Sequence, residues 1–387
     1  EHLEALGALG HFGFFESIDY TTSRLPVGQE KAIIKSYMAH HQGMILVALT
    51  NYLNQTSVVD RIHADPHIQS TELLLQEQIP EAESVEKTKE VQIAGRSAET
   101  RGISVNPWTV DHERPGKSVH VISNGNLRLL TTESGSGVLE WGDTALTRWR
   151  KDATLDRWGI WFYLQDLDRK TFWSVGKQPV QVNSDEYRVI FAPHMTEIRH
   201  AFDGLRVIQQ TTIAPKEDIC LQKITLTNQT SEERRLRTLS YGEVVLAPQA
   251  TDRKHPAFNK MFIESRYDEA LSMLHFQRRK RSSKEEPKAM SHLLYCESPG
   301  NVAFETDRAR FIGRGHDLNS PAVLAEGRPL SGTTGITLDP IFSLTKTLTL
   351  APNQTVSLTY LTMASEEDVQ AESWANKYQD DLRINNA

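Results

Sequence analysis

Cysteine is nearly absent: Cys220 and Cys296 are the two in 387 residues. They stand in strand-like runs without CxxC spacing, so buried thiols are expected rather than a disulfide or a metal site, in a reducing compartment. Long apolar runs are missing too. The longest, Met44 to Leu49, falls far below the roughly 18 residues that a membrane span requires, and no charged-then-apolar leader opens the chain. The piece is therefore expected to be soluble by itself. There is no HExxH, no P-loop, no dinucleotide fingerprint and no GxSxG, which excludes the usual signatures of zinc, nucleotide and α/β-hydrolase chemistry. Neither a cofactor nor a metal is expected.

No sign of charge dominates. The 43 Lys+Arg against 50 Asp+Glu leave −7, which argues against a nucleic-acid partner. The 39% hydrophobic content, with 22 Gly and 16 Pro, is that of ordinary globular protein, at a length suited to two or three domains. The chain starts at Glu1 without methionine, and His2 to Gly13 already reads as the inside of a structured region, so an excised or processed fragment is expected. Charge is unevenly spread: Val58 to Thr100 holds nine acids against four bases. Its opposite is the basic run Arg278-Arg279-Lys280-Arg281, which no aromatic interrupts and which reads as a solvated loop.

From Gln29 to Leu53, Ile34, Tyr37, Met38, His41, Ile45, Ala48 and Tyr52 recur at steps of three and four, which predicts one long helix. Asp65 to Gln78 is a second helical candidate, followed by the polar, aromatic-poor stretch Glu81 to Glu113. Beyond Lys117 the period changes to two. Short runs rich in β-branched and aromatic residues, such as Leu205–Thr212 and Leu236–Leu246, alternate with turns such as Asn124-Gly125-Asn126. Strands at about 8–12 residue spacing predict a mainly β fold, a large antiparallel sandwich preceded by a helical segment and followed by a short helix. Ser365 and Asp368, ahead of Ala371, Trp374, Ala375 and Tyr378, mark that last helix, which either docks on the sandwich or begins a linker. The domains read as 1–57 (helical), 58–113 (helical, acidic connector), 114–364 (sandwich) and 365–387 (terminal helix).

Several constellations invite chemistry. His40-His41 cannot chelate one ion from adjacent helical positions, and His41 lies on the apolar stripe as a core histidine. Glu16 and Asp19 are a carboxylate pair among aromatics, suited either to general acid work or to a loop and capping role. The densest cluster runs from Trp141 to Trp173 and holds five of the seven tryptophans together with Arg148, Arg150, Asp152 and Asp156. Indole faces pack against pyranose rings, while guanidinium and carboxylate groups bond their hydroxyls, so Arg148, Trp149, Arg150, Asp152, Trp158 and Trp173 form the candidate carbohydrate site. The competing role for any one tryptophan is sandwich core. Arg148 and Arg150 are expected to share one strand face with Trp149 on the other. Arg308, Arg310 and Arg314, between Glu305, Asp307 and two glycines, read either as an anion site or as a salt-bridged structural turn.

These motifs have a family resemblance. Tyr37-Met38-Ala39-His40-His41-Gln42-Gly43-Met44, with Glu16-Ser17-Ile18-Asp19-Tyr20-Thr21, resembles the last part of the glycoamylase-like domain of bacterial cyclic β-1,2-glucan synthases. His63-Ala64-Asp65-Pro66 and Thr71 to Pro80 resemble the connector that follows it. Thr147 to Thr154, Tyr241-Gly242-Glu243-Val244, His255-Pro256-Ala257-Phe258 and Asp307 to Gly315 resemble the N-terminal sandwich of the glycoside hydrolase family 94 phosphorylases. The resemblance covers nearly the whole chain in order. It implies a galactose-mutarotase-like supersandwich that contacts saccharide and supports an (α/α)6 catalytic barrel, which holds the general acid and the phosphate site and lies outside this chain. It further implies a large membrane enzyme of the inner membrane, with this segment on the cytoplasmic side. Expected partners are β-glucan, the remaining domains of the parent, phosphate only through the barrel, and a second copy in a homodimer. The fragment is thus expected to bind without turning over; the alternative is a self-contained glycoside hydrolase or transglycosylase using a carboxylate pair.

Overall fold

The computed structural model describes residues 1–21, 25, 29–71, 107–110, 117–150, 155–280, 285–366 and 368–378. The chain divides into two compact units, Glu1–Ser97 and Ala98–Ala387.

The first unit carries helices α1 (His2–Ala5), α2 (Ala39–Leu53), α3 (Ser57–His63) and α4 (Pro66–Thr71). Its strands are β1 (Leu9–Gly10), β2 (Gly13–Phe14), β3 (Ser17–Asp19) and β4 (Ala32–Ile34), which form two hairpins, β1–β2 and β3–β4. The long helix predicted from Gln29 begins instead at Ala39. Ile33 and Ile34 are stiff at χ1 and fit a pleated strand better than a helix, and they pair with Ile18 and Ser17. The corrected start leaves His41 in the first turn of α2, half-exposed rather than in a core. Residues 72–78 of the second predicted helix lie outside the described residues.

The second unit is built almost wholly of antiparallel strands. In chain order they are β5 (Trp108–Thr109), β6 (Val119–Ser123), β7 (Leu127–Thr132), β8 (Gly137–Trp141), β9 (Thr144–Thr147), β10 (Trp161–Asp166), β11 (Thr171–Ser174), β12 (Glu186–Ala192) and β13 (Met195–Phe202). There follow β14 (Leu205–Ile213), β15 (Ile219–Asn228), β16 (Arg234–Ala247), β17 (Ile263–Asp268), β18 (Met273–Arg278), β19 (Lys288–Tyr295), β20 (Ala303–Asp307), β21 (Pro340–Leu350) and β22 (Thr355–Ser365). Short helices α5 (Gln249–Lys254), α6 (Pro256–Lys260), α7 (Arg308–Ile312) and α8 (Ala322–Ala325) interrupt the later strands, and α9 (Asp368–Lys377) comes last. One nine-stranded sheet runs β17-β18-β19-β22-β15-β14-β13-β12-β5; the other runs β11-β10-β16-β9-β8-β7-β6, with β21 paired to β16 and β20 to β21. The fold is a mainly β supersandwich, as expected.

Alternation explains the core. Along β14, Leu205, Val207, Gln209, Thr211 and Ile213 point inward while the residues between them are half-exposed. Between the sheets lie Leu127, Leu139, Phe162, Trp173, Ile224, Phe276, Phe342 and Tyr360. Strand β10 is buried on both faces: Phe162 and Leu164 enter the inter-sheet core, whereas Trp161 and Tyr163 join Tyr241, Phe311 and Val323 under α7 and α8. The Asn124-Gly125-Asn126 turn closes the β6–β7 hairpin, with Asn124 Oδ1 accepting from the backbone N–H of Asn126 and Leu127 at 3.0 and 2.8 Å. Helix α9 docks on the sandwich through Ala371, Ala375 and Tyr378, which pack with Ile219, Leu221, Leu361 and Met363. Both cysteines are free thiols; Cys220 is buried, and burial pushes its pKa up to about 12. Among the described residues no helix is long and apolar enough to cross a membrane.

Candidate functional site

The motifs that are far apart in sequence meet at one place, around the side chain of Arg148. Strand β9 ends at Thr147, and the backbone N–H of Arg148 then donates to Glu243 O at 3.0 Å. Its guanidinium grips Asp252 of α5 with a fork, Nε to Oδ2 and Nη2 to Oδ1, both 2.8 Å. Nη1 donates to Glu243 Oε2 at 2.8 Å. The other carboxylate oxygen of Glu243 accepts from Arg308 Nε at 3.0 Å and from the Tyr241 hydroxyl at 3.2 Å. Asp339 closes the ring: it pairs with Lys260 of α6 at 2.5 Å and with Arg308 at 3.9 Å. Asn259 ties α6 down by donating to Val245 O at 3.0 Å.

Three cations thus face three carboxylates, and Arg148, Glu243 and Asp252 are all buried. Burial alone would lower the pKa of Arg148, but the bond to Asp252 and the charge of Glu243 outweigh it and hold the guanidinium above its ordinary value. Burial, and after it the Glu243 charge, pushes the Tyr241 hydroxyl well up. A network so fully paired is spent on holding elements together. It fastens β9, β16, α5, α6, α7 and the start of β21 to one another.

This corrects the expected site in part. Arg148 is consumed by its partners and has no surface for a ligand, and Trp173 lies wholly in the inter-sheet core. Because β9 stops at Thr147, Arg148 and Arg150 do not share an exposed strand face: Arg148 turns inward and Arg150 outward. What remains at the surface is Arg150, whose guanidinium lies 5.5 Å from the Trp158 ring centroid, with Trp158 and Trp149 partly exposed beside it. Asp152 lies outside the described residues. Asp156 is buried and accepts from Lys117 at 3.2 Å and from Thr132 at 2.8 Å, a structural anchor.

The other candidates are also placed. Glu16 is nearly buried and bonds Nδ1 of His41, while Asp19 Oδ1 accepts from Thr21 N–H at 2.8 Å in a turn. Of the three arginines between Glu305 and Gly315, Arg308 belongs to the buried network, Arg310 pairs with Asp307 at 3.7 Å, and Arg314 is exposed. Glu305 and Asp307 accept from backbone N–H groups of the same turn. In the basic run Arg278 is not solvated; it is buried, bonding Asn259 Oδ1 at 2.6 Å and lying 5.2 Å over the Phe262 ring. Asp268, His275 and Glu372 have donor atoms within 4.8 Å of one another, but Arg266 already pairs with Glu372 at 3.3 Å.

Hydrogen bonds from Lys288, Arg235 and Lys377 hold Asp143, Asp168 and Glu217 below the usual carboxylate range. Sequence reasoning missed Asp252, Lys260 and Asp339, which belong to no pattern and meet Arg148 across some hundred residues or more of chain. Large apolar side chains stand exposed beside this network: Phe258 and Met261 flank Lys260 in sequence, and Leu338, 90% exposed, and Ile336 precede Asp339.

Comparison with known proteins agrees with the fold. The chain is 31% identical over 374 residues to the cyclic beta-(1,2)-glucan synthase NdvB of Rhizobium meliloti (strain 1021), covering 94% of this chain and 13% of that protein. It is 23% identical over 208 residues to the solabiose phosphorylase of Paenibacillus borealis, covering 54% of this chain and 26% of the relative. A bacterial glucoamylase solved in complex with acarbose superposes with a TM-score of 0.44 at 8% identity, over 73% of this chain and 39% of the other. The chain therefore spans about an eighth to a quarter of the curated relatives it matches. The family model for the glycosyl hydrolase 94 supersandwich domain matches residues 105–381, and to that family the chain belongs.

Proposed function

We propose that this segment of a carbohydrate-active enzyme holds β-glucan and supports a catalytic barrel, without performing the reaction itself. The parent would synthesise or phosphorolyse β-1,2-glucan, with this segment on the cytoplasmic side of the inner membrane and phosphate entering only through the barrel. The observation that carries the reading is the Arg148 network with the surface residues beside it. Trp149, Arg150 and Trp158 offer indole faces and a guanidinium to a sugar. Close in sequence to the network members Lys260 and Asp339, Phe258, Met261, Ile336 and Leu338 are exposed apolar side chains, which suit contact with a neighbouring domain. The buried network ties together the elements that carry these residues.

The test is incubation of the chain with β-1,2-glucan, with and without phosphate. No glucose 1-phosphate and no shortened glucan should form, while the glucan binds, and Trp158→Ala or Arg150→Ala should weaken that binding about tenfold, the loss of one stacking or charge-assisted contact. Turnover by the chain alone would sink the proposal, and unchanged affinity in both variants would return Trp158 and Arg150 to structure.

A further inference from the structure

We infer that the sandwich carries a second saccharide site, in the cavity where the end of β17 meets the start of β20. The inference takes its ligand class from the carbohydrate reading above, but its place rests on other residues. Tyr267 and Phe304 stack with ring centroids 4.0 Å apart and planes 23° from parallel, and both back onto the inter-sheet core. The Tyr267 hydroxyl donates to Val302 O at 3.3 Å, which fixes its ring. The cavity they wall has a volume of about 590 Å3. That lies within the range of about 300–1,000 Å3 usual for small-molecule sites.

The rest of the lining is chosen in the same sense. Gly332 stands at φ +67°, and a Cβ there would lie 3.6 Å from Phe304 Cζ, so glycine leaves the aromatic wall uncovered. Glu269 and Asn301 border the cavity, and neither side chain has a hydrogen-bond partner among the described residues. None of the lining residues is Lys, Arg or His. A stacked aromatic pair, a carboxylate that only accepts and an amide that both donates and accepts suit an uncharged polyhydroxylated ring: its C–H groups meet the aromatic pair and its hydroxyls meet Glu269 and Asn301. The same carboxylate disfavours a sugar phosphate. The site therefore takes neutral glucan units, remote in sequence from the Trp149–Arg150–Trp158 surface.

Titration calorimetry of the 387-residue chain with β-1,2-linked gluco-oligosaccharides tests this, with glucose 1-phosphate as the anionic probe. Ala303 is exposed and lines the cavity, so Ala303→Trp fills it without touching the core. Two classes of site are expected in the wild type, and Ala303→Trp should remove one of them. Asn301→Ala should weaken that same class about fivefold, the loss of one hydrogen bond. Trp158→Ala should weaken the other class about tenfold and spare this one. Glucose 1-phosphate should bind the cavity class more weakly in the wild type than in Glu269→Gln. If Ala303→Trp and Asn301→Ala melt like the wild type and bind the oligosaccharides unchanged, the cavity is not a sugar site, whatever happens at Trp158. Loss of all binding in Trp158→Ala alone overturns the cavity and leaves the surface reading standing.

Discussion

The two units spend their apolar residues differently. In the first, Ala8 is the one buried apolar residue among those described, and along α2 Met44, Ile45, Leu46, Val47, Leu49, Tyr52 and Leu53 are all exposed. In the second, both sheets bury an apolar face against each other, and α7, α8 and α9 cover outer faces as well. Among the described residues, the first unit forms helices and hairpins with little apolar burial, and the second converts its pattern into a core. A helix of 15 residues is marginal when nothing packs on its apolar side. Secondary structure and burial are separate achievements, and this molecule displays the two apart.

The sharpest way to break that contrast is to compare deletions on each side. Trp173→Ala empties a wholly buried site and should cost about 3–5 kcal/mol in urea denaturation of the sandwich. Arg148→Ala should cost a similar 3–5 kcal/mol, because Glu243 and Asp252 would keep their charges without a partner. A triple variant that also neutralises both acids, Arg148→Ala with Glu243→Gln and Asp252→Asn, should recover part of that loss, and no recovery would mean that the network contributes by shape rather than by charge.

Acid should act on the sandwich next. His292 is enclosed between Thr362 and Ser240 at 3.0 Å each, and burial lowers its pKa from 6.5 to about 3; burial also lowers His200 and His120. Between these values the unfolded chain takes up a proton that the folded one refuses, so stability present above pH 6.5 falls as the pH drops toward 3. The slope is about 1.4 kcal/mol per pH unit for each fully neutral imidazole. Melting followed from pH 7 to 5 should show it, and His292→Asn should flatten it; an unchanged slope in that variant assigns the acid sensitivity elsewhere.

The smallest effect belongs to the first unit. Ile45→Ser, at a position 53% exposed, should change stability by no more than about 0.5 kcal/mol. A loss comparable to that of Trp173→Ala would show that α2 is covered in solution and would erase the contrast between the units.

Much of the fold was legible because alternation is local. The strands from Val119 to Tyr360, the Asn124-Gly125-Asn126 turn and the terminal helix all announce themselves in windows of about ten residues. The helix boundary at Ala39 was hidden because Ile34 and Tyr37 continue the helical stripe backward by steps of three and four, although Ile34 pairs in β4 and residues 35–38 are neither helix nor strand. The site was less legible, for a different reason. That Arg148 points inward depends on β9 ending one residue earlier, and its partners sit 95 and 104 residues away, so no spacing rule reaches them. Trp173 and Trp158 look alike in sequence and part only when the sheets close. The quoted motifs Thr147 to Arg150, Tyr241 to Val244 and Asp307 to Gly315 did point to one place, since each contributes a member of the same network.

Strand β16 imposes a last consequence. Its 14 residues pair with β10 and β21 along the first part and with β9 along the second. Leu236, Val244 and Leu246 face the inter-sheet core, while Leu239 and Tyr241 face the cluster under α7 and α8. Deleting one residue from its middle would exchange the two sides at once and drive Glu243 toward the apolar interior. Relatives of this domain should therefore vary in length at their loops and keep β16 to a fixed count, admitting replacement there far more readily than insertion.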